Sequence, residues 1–267
     1  MTEKMQGTAA LSAMFTRAGA ENRAAFLPYF PIGYPTYADS LAAITAMAAA
    51  GVDGFEIGIP FSDPIADGST IQAATQRALE NGATVRDCLA AVRTLRARGI
   101  DQPMLMMGYA NPLLAYGTDR FVQDACAAGA DGLIVPDLPP EEAHYFAESC
   151  ARTGLALIFM LAPTSNAARI KLVAERASGF IYVVSLTGIT GARADLPADL
   201  HEFIGRLRAR TDMPLVLGFG ISTAQHAAQV SQLTDGFIVG SALVRAGGES
   251  LAAARELTEQ IVAAIRN

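Results

Sequence analysis

Gly51-Val52-Asp53-Gly54-Phe55-Glu56-Ile57-Gly58 decides how this 267-residue chain is read, because the motif returns twice. It reappears as Gly129-Ala130-Asp131-Gly132-Leu133-Ile134-Val135-Pro136 and as Thr234-Asp235-Gly236-Phe237-Ile238-Val239-Gly240. Each copy follows an Ala-rich stretch of helical period and opens a short apolar, β-branched run. Physically this is a helix stop, a tight turn, and then a strand buried on both faces. The aspartates Asp53, Asp131 and Asp235 precede their strands and read as turn formers rather than catalysts.

Working outward, the strand candidates are Ala25–Phe30, Phe55–Ile59, Met104–Met107, Gly132–Val135, Ala156–Met160, Phe180–Val184, Leu215–Leu217 and Phe237–Val239. Helical patterns separate them at Tyr37–Ala50, Thr84–Arg98, Thr118–Ala128, Pro140–Thr153, Asn166–Arg176, Pro197–Arg210 and Thr223–Val230. Glu249–Ile265 closes the chain, and Ala9–Ala18 adds a helix before the first strand. Eight strand–helix units in about 250 residues predict a (β/α)8 TIM barrel with an extra N-terminal helix, the whole of 1–267 forming a single catalytic domain. An open doubly wound sheet is the alternative. It calls for Gly-x-Gly-x-x-Gly after the first strand, where the chain has Phe30-Pro31-Ile32-Gly33-Tyr34-Pro35.

Composition excludes several classes. The chain is 51% hydrophobic and 17% charged, too apolar for a disordered segment. Its net charge of −6 argues against a nucleic-acid binder. No apolar run is long enough for a membrane span, and the first ten residues lack the apolar core of a signal peptide. Cys88, Cys126 and Cys150 are an odd number without metal-ligand spacing, so a reducing, cytoplasmic setting is expected.

In a barrel the chemistry gathers in the loops after the strands, with phosphate often held after strands seven and eight. Glycine-rich turns fall in consecutive C-terminal units: Thr187-Gly188-Ile189-Thr190-Gly191, Gly218-Phe219-Gly220-Ile221-Ser222 and Gly240-Ser241. Together they predict a cradle of backbone N–H groups for a phosphate, with Ser222 and Ser241 as hydroxyl donors. Ala242-Leu243-Val244 reads as a short helix behind the last turn, and Arg193 is the nearest cation.

Glu56 stands in an apolar run. Strand parity puts Phe55, Ile57 and Ile59 on one face and Glu56 with Gly58 on the other, so Glu56 is expected to point into the barrel. A buried carboxyl there is hard to ionise and suits proton transfer near neutral pH. The next loop, Pro60-Phe61-Ser62-Asp63-Pro64-Ile65-Ala66-Asp67-Gly68, adds Asp63 and Asp67, and either one fits beside a substrate. Tyr109, Asn111 and Tyr182 lie near other strand ends. Lysine occurs only at Lys4 and Lys171, away from strand ends, which leaves a Schiff-base aldolase without its nucleophile. His144, His201 and His226 fall in helical segments, so the expected site holds no metal. Metal-free, carboxylate-driven proton transfer on a phosphorylated substrate remains.

The run from Phe55 to Gly68, continued by Thr70-Ile71-Gln72, resembles the tryptophan synthase alpha subunit family. Gly108-Tyr109-Ala110-Asn111-Pro112, Pro136-Asp137-Leu138-Pro139, Gly188-Ile189-Thr190-Gly191, Gly218-Phe219-Gly220-Ile221-Ser222 and Gly240-Ser241-Ala242 match in the same order. The resemblance implies retro-aldol cleavage of indole-3-glycerol phosphate to indole and glyceraldehyde 3-phosphate. It assigns the catalytic glutamate to Glu56 and the catalytic aspartate to Asp67, with Tyr182 beside the substrate. Phosphate binding falls to Gly191, Gly220, Gly240 and Ser241. The indole and substrate pocket falls to Tyr29, Met107, Tyr109, Ile134, Phe219 and Thr190. It also implies an α2β2 heterotetramer whose beta subunit, not this chain, carries pyridoxal phosphate. Asp63, Pro64, Asn111 and Pro139 match positions near that interface.

Three departures from the family pattern, Pro31, Tyr34 and Leu186, bear on loop behaviour and partner contacts. A phosphosugar isomerase on the same barrel and a non-catalytic, phosphate-binding regulatory subunit are the alternative readings. Indole-3-glycerol phosphate synthase relies on a strand-end lysine that the chain lacks. The absence of tryptophan fits selection for synthesis during tryptophan scarcity.

Overall fold

A computed structural model describes residues 5–184, 198–218 and 220–266. The predicted positions Leu186, Thr190, Gly191, Arg193 and Phe219 lie outside the described residues, as does the whole segment from Leu186 to Pro197. Eight parallel strands close into a ring in chain order. They are β1 (Ala25–Pro31), β2 (Phe55–Gly58), β3 (Met104–Met107), β4 (Gly132–Ile134), β5 (Ala156–Leu161), β6 (Ile181–Val184), β7 (Leu215–Gly218) and β8 (Gly236–Val239). Closure removes the open sheet from consideration. Following registered neighbours from Tyr29 through Glu56, Leu105, Gly132 and Ala156 around the ring returns to β1 eight residues earlier, the stagger of a TIM barrel.

The helices that cover the ring are α1 (Thr8–Ala20), α2 (Tyr37–Ala49), α3 (Ser69–Glu80), α4 (Val85–Ala97), α5 (Ala110–Tyr116) and α6 (Thr118–Ala128). They continue as α7 (His144–Thr153), α8 (Ala167–Arg176), α9 (Ala198–Arg208), α10 (Ala224–Ser231), α11 (Ser241–Glu249) and α12 (Leu251–Arg266). Several starts are set by side-chain caps. Thr36, Thr84, Asn166 and Thr223 each accept a backbone N–H from the first helical turn, and Asp87 completes a capping box with Thr84. Two helices, α3 and α5, were not among the predicted ones. The start of α7 falls four residues after the predicted Pro140, because Pro139 and Glu142 close a turn first. Among the described residues no helix is long and apolar enough to cross a membrane.

The added N-terminal helix α1 closes one end of the ring. A Cβ at Gly54, Gly179 or Gly236 would lie within about van der Waals contact of Met14, Leu11 or Phe15 respectively. The chain ahead of α1 is tied down by Gln6, which donates to the carbonyls of Cys126 and Ala130, and by Gly7 N–H, which donates to Asp131.

The repeated aspartates have a defined role at this end. Asp53 accepts the N–H of Phe26 and donates its own N–H to the Phe26 carbonyl. Asp131 does the same with Met104, and Asp235 with Leu215. Each therefore staples the start of the preceding strand, and each is ion-paired: Asp53 with Arg23, Asp131 with Arg96, Asp235 with Arg208. A fourth staple is absent from the sequence repeat. Ser178, ahead of β6, accepts the Leu157 N–H at 2.8 Å and donates to the Leu157 carbonyl at 3.1 Å. The four even-numbered strands thus share one device at the end opposite the loops that carry chemistry.

Candidate active site

Phe30 faces the helical layer, since a Cβ on Gly247 of α11 would come within 2.6 Å of its ring. By strand parity Tyr29 faces the interior, and so does its registered neighbour Glu56. Glu56 is 1% exposed, and its Oε2 has no hydrogen-bond partner among the described residues. Burial, with the charge of Asp67 added, pushes its pKa up to about 8. The carboxyl is therefore mostly protonated at neutral pH and able to donate.

Asp67 comes from the β2–α3 loop, which Tyr109 at the end of β3 fixes in place. The Tyr109 hydroxyl accepts the Ala66 N–H at 2.9 Å and is hydrogen-bonded to the Asp67 side chain, while its ring packs 5.3 Å from Phe61. Gln72 of α3 donates to the Asp67 carbonyl at 2.8 Å. Burial raises Asp67 to about 6, with the Tyr109 hydrogen bond pulling the other way. Asp63 is exposed and hydrogen-bonded to Ser62, away from this pair.

Two tyrosines complete the polar cluster. Tyr29 on β1 and Tyr182 on β6 are buried, and both are raised well above the usual phenol range. Burial is the main cause, followed by the Asp67 and Glu56 charges for Tyr29 and by those of Glu56, Asp67 and Tyr29 for Tyr182. Each lies over a glycine of the next strand. A Cβ on Gly58 would be 2.4 Å from the Tyr29 hydroxyl, and one on Gly218 would be 2.1 Å from that of Tyr182. The sequence reading missed both seats. The available signal was a glycine inside a buried strand, which marks a close approach.

Met107 and Ile134 are registered neighbours at the ends of β3 and β4, buried and on the inward face, forming an apolar wall. Gly240 precedes α11 and Ser241 is its first residue, so the N-terminus of a nine-residue helix, whose first N–H groups have no intrahelical partner, follows β8 directly at this end of the ring. Gly220 holds a positive φ of 84° in the β7–α10 connection. Asp63 and Pro64 lie in the loop after β2, Pro139 in the loop after β4 and Asn111 in the first turn of α5, the short helix that follows β3. Two apolar side chains that sequence reading did not select are exposed nearby in the chain, Ile65 of the β2–α3 loop at 84% and Leu114 of α5 at 56%.

A closed eight-stranded barrel with two interacting carboxyl groups at its mouth and a helix N-terminus opposite defines an acid–base enzyme for an anionic substrate. Comparison with known proteins sharpens this. The family model described as "Tryptophan synthase alpha chain" matches residues 15–267. The alpha chain from Chloroflexus aggregans is 52% identical over 230 residues, covering 86% of each chain. That from Gluconacetobacter diazotrophicus is 45% identical over 264 residues, covering 95% of this chain and 96% of its own. A solved structure of Mycobacterium tuberculosis tryptophan synthase superposes with a TM-score of 0.91 at 43% identity, covering 96% of this chain and 98% of that one. The chain belongs to the tryptophan synthase alpha chain family. Its activity is that of a carbon–carbon lyase, cleaving indole-3-glycerol phosphate to indole and glyceraldehyde 3-phosphate.

Proposed function

We propose that Glu56 and Asp67 carry this cleavage, within a catalytic unit comprising the whole of 1–267. The observation that supports it most is the buried, mostly protonated Glu56 carboxyl, with Oε2 unpartnered among the described residues and Asp67 as its charged neighbour. Indole leaves poorly as a carbanion, so its C3 must first be protonated. Glu56 gives its proton to C3. The resulting carboxylate takes the proton of the C3′ hydroxyl as the C3–C3′ bond breaks. The bond electrons return to the indole ring, the C3′ oxygen becomes the aldehyde carbonyl, and Glu56 ends protonated as it began. Asp67 offsets the positive charge that develops at the indole N–H.

Tyr29, Met107, Tyr109, Ile134 and Phe219 form the slot for the ring, with Tyr182 and Thr190 beside the substrate. Gly191, Gly220, Gly240 and Ser241 hold the phosphate. None of these steps requires a cofactor on this chain. Pyridoxal phosphate belongs to a beta subunit that receives the indole in a cytoplasmic α2β2 complex. The apolar Ile65 and Leu114 beside Asp63, Pro64, Asn111 and Pro139 support that docking face.

The test is indole release from indole-3-glycerol phosphate by wild type, Glu56→Gln and Asp67→Asn, with and without a beta subunit. Loss of turnover in both variants is expected. Undiminished turnover in Glu56→Gln would overturn the mechanism.

A further inference from the structure

Tyr29 spans the interval that the substrate's three-carbon chain must cross. At one end of its side chain, Cβ and Cδ1 lie 3.6 Å from where a Cβ on Gly240 would stand, beside the N-terminus of α11. At the other end its hydroxyl occupies the space over Gly58, two residues beyond Glu56 on the same face of β2. The residue is 5% exposed. A phenyl ring alone would serve as an apolar wall, whereas the hydroxyl sets a donor and acceptor over Gly58, where a ligand hydroxyl can pair with it.

The substrate has few polar atoms to offer. The indole N–H is matched by Asp67, the phosphate by the α11 end, and the C3′ hydroxyl by Glu56. The C2′ hydroxyl, next to the reacting carbon, is left. We infer that the Tyr29 hydroxyl hydrogen-bonds the C2′ hydroxyl of the glycerol chain, which makes Tyr29 a specificity-determining residue for a hydroxylated three-carbon phosphate. The inference rests on the assignment of Glu56 and Gly240 to opposite ends of the substrate. Burial and the two carboxyl charges keep the phenol protonated, so it remains a donor throughout the cycle.

The experiment compares wild type with Tyr29→Phe on two ligands. One is indole-3-glycerol phosphate, read as kcat/KM. The other is indole-3-propyl phosphate, which lacks both hydroxyls, read as a dissociation constant. Loss of one hydrogen bond lowers kcat/KM about tenfold and leaves analogue binding within about twofold. Unchanged kcat/KM would overturn the inference, and so would equal weakening for both ligands, the pattern of a simple wall. Glu56→Gln, assayed alongside, separates the two readings. An inactive Glu56→Gln beside an unaffected Tyr29→Phe overturns the Tyr29 role alone, whereas an active Glu56→Gln overturns the acid–base assignment.

Discussion

Asp67 adds its charge to burial in keeping the Glu56 carboxyl protonated, so the two carboxyls separate to about 8 for Glu56 and about 6 for Asp67. In the proposed mechanism the working form has Glu56 protonated and Asp67 ionised, a combination that exists mainly between those values. kcat/KM for indole release therefore follows a bell, falling below pH about 6 and above pH about 8. Asp67→Asn removes the negative neighbour and moves the alkaline limb of the residual activity to lower pH. A limb that stays in place would break the link between the two groups.

The same burial makes Glu56 a liability for stability at high pH. Its pKa is raised from 4.5 to about 8, so the folded state binds the proton more tightly than the unfolded one. Stability from this group is fully present below 4.5 and is lost as pH rises through about 8. Glu56→Gln carries no such loss. In urea titrations its stability relative to wild type should increase between pH 5 and pH 9 by roughly 2–4 kcal/mol. A difference that is constant with pH would show that Glu56 ionises freely in the folded chain.

The strand staples should differ in strength according to their burial. The side chains of Asp131 and Asp53 are 1% and 4% exposed, while that of Asp235 is 38% exposed. Asp131→Ala and Asp53→Ala each strand buried donors, including an arginine, and should cost about 3–5 kcal/mol. Asp235→Ala and Ser178→Ala should cost about 1–2 kcal/mol. Denaturant midpoints measure the order. These residues lie at the end away from the chemistry, so variants folded at low temperature should retain wild-type kcat.

Two glycine substitutions should act in opposite directions. Gly218→Ala puts a Cβ 2.1 Å from the Tyr182 hydroxyl, which must move. We expect a loss of about 1–3 kcal/mol and a fall in indole release of about tenfold or more. Gly205 lies inside α9, exposed and with nothing near its Cβ position, so Gly205→Ala should gain about 0.5–1 kcal/mol with activity unchanged. Thermal melts and an indole assay on the same samples test both.

Much of the barrel could be read along the chain because its signals are local. Apolar β-branched runs, Ala-rich helical stretches and capping residues such as Thr36, Thr84 and Thr223 act over a few residues each. Parity alone placed Glu56 opposite Phe55 and Ile57. Local signals misled where a loop and a helix share composition, which hid α3 and α5 and moved the start of α7. Between Asp63 and Asp67 the residue chemistry was neutral and only the family motif chose. The fold separates them physically, leaving Asp63 in solvent and holding Asp67 half-buried against Tyr109.

The sequence by itself determined the alternation of strands and helices, the glycine-rich turns and the presence of an isolated carboxyl in a buried strand. Tertiary structure alone decided that Tyr29 lies over Gly58, that Tyr182 lies over Gly218, and that Ser178 performs the task of three aspartates. Those meetings join residues on different strands. They depend on the register summed around a closed ring, a quantity that no single stretch of the chain contains.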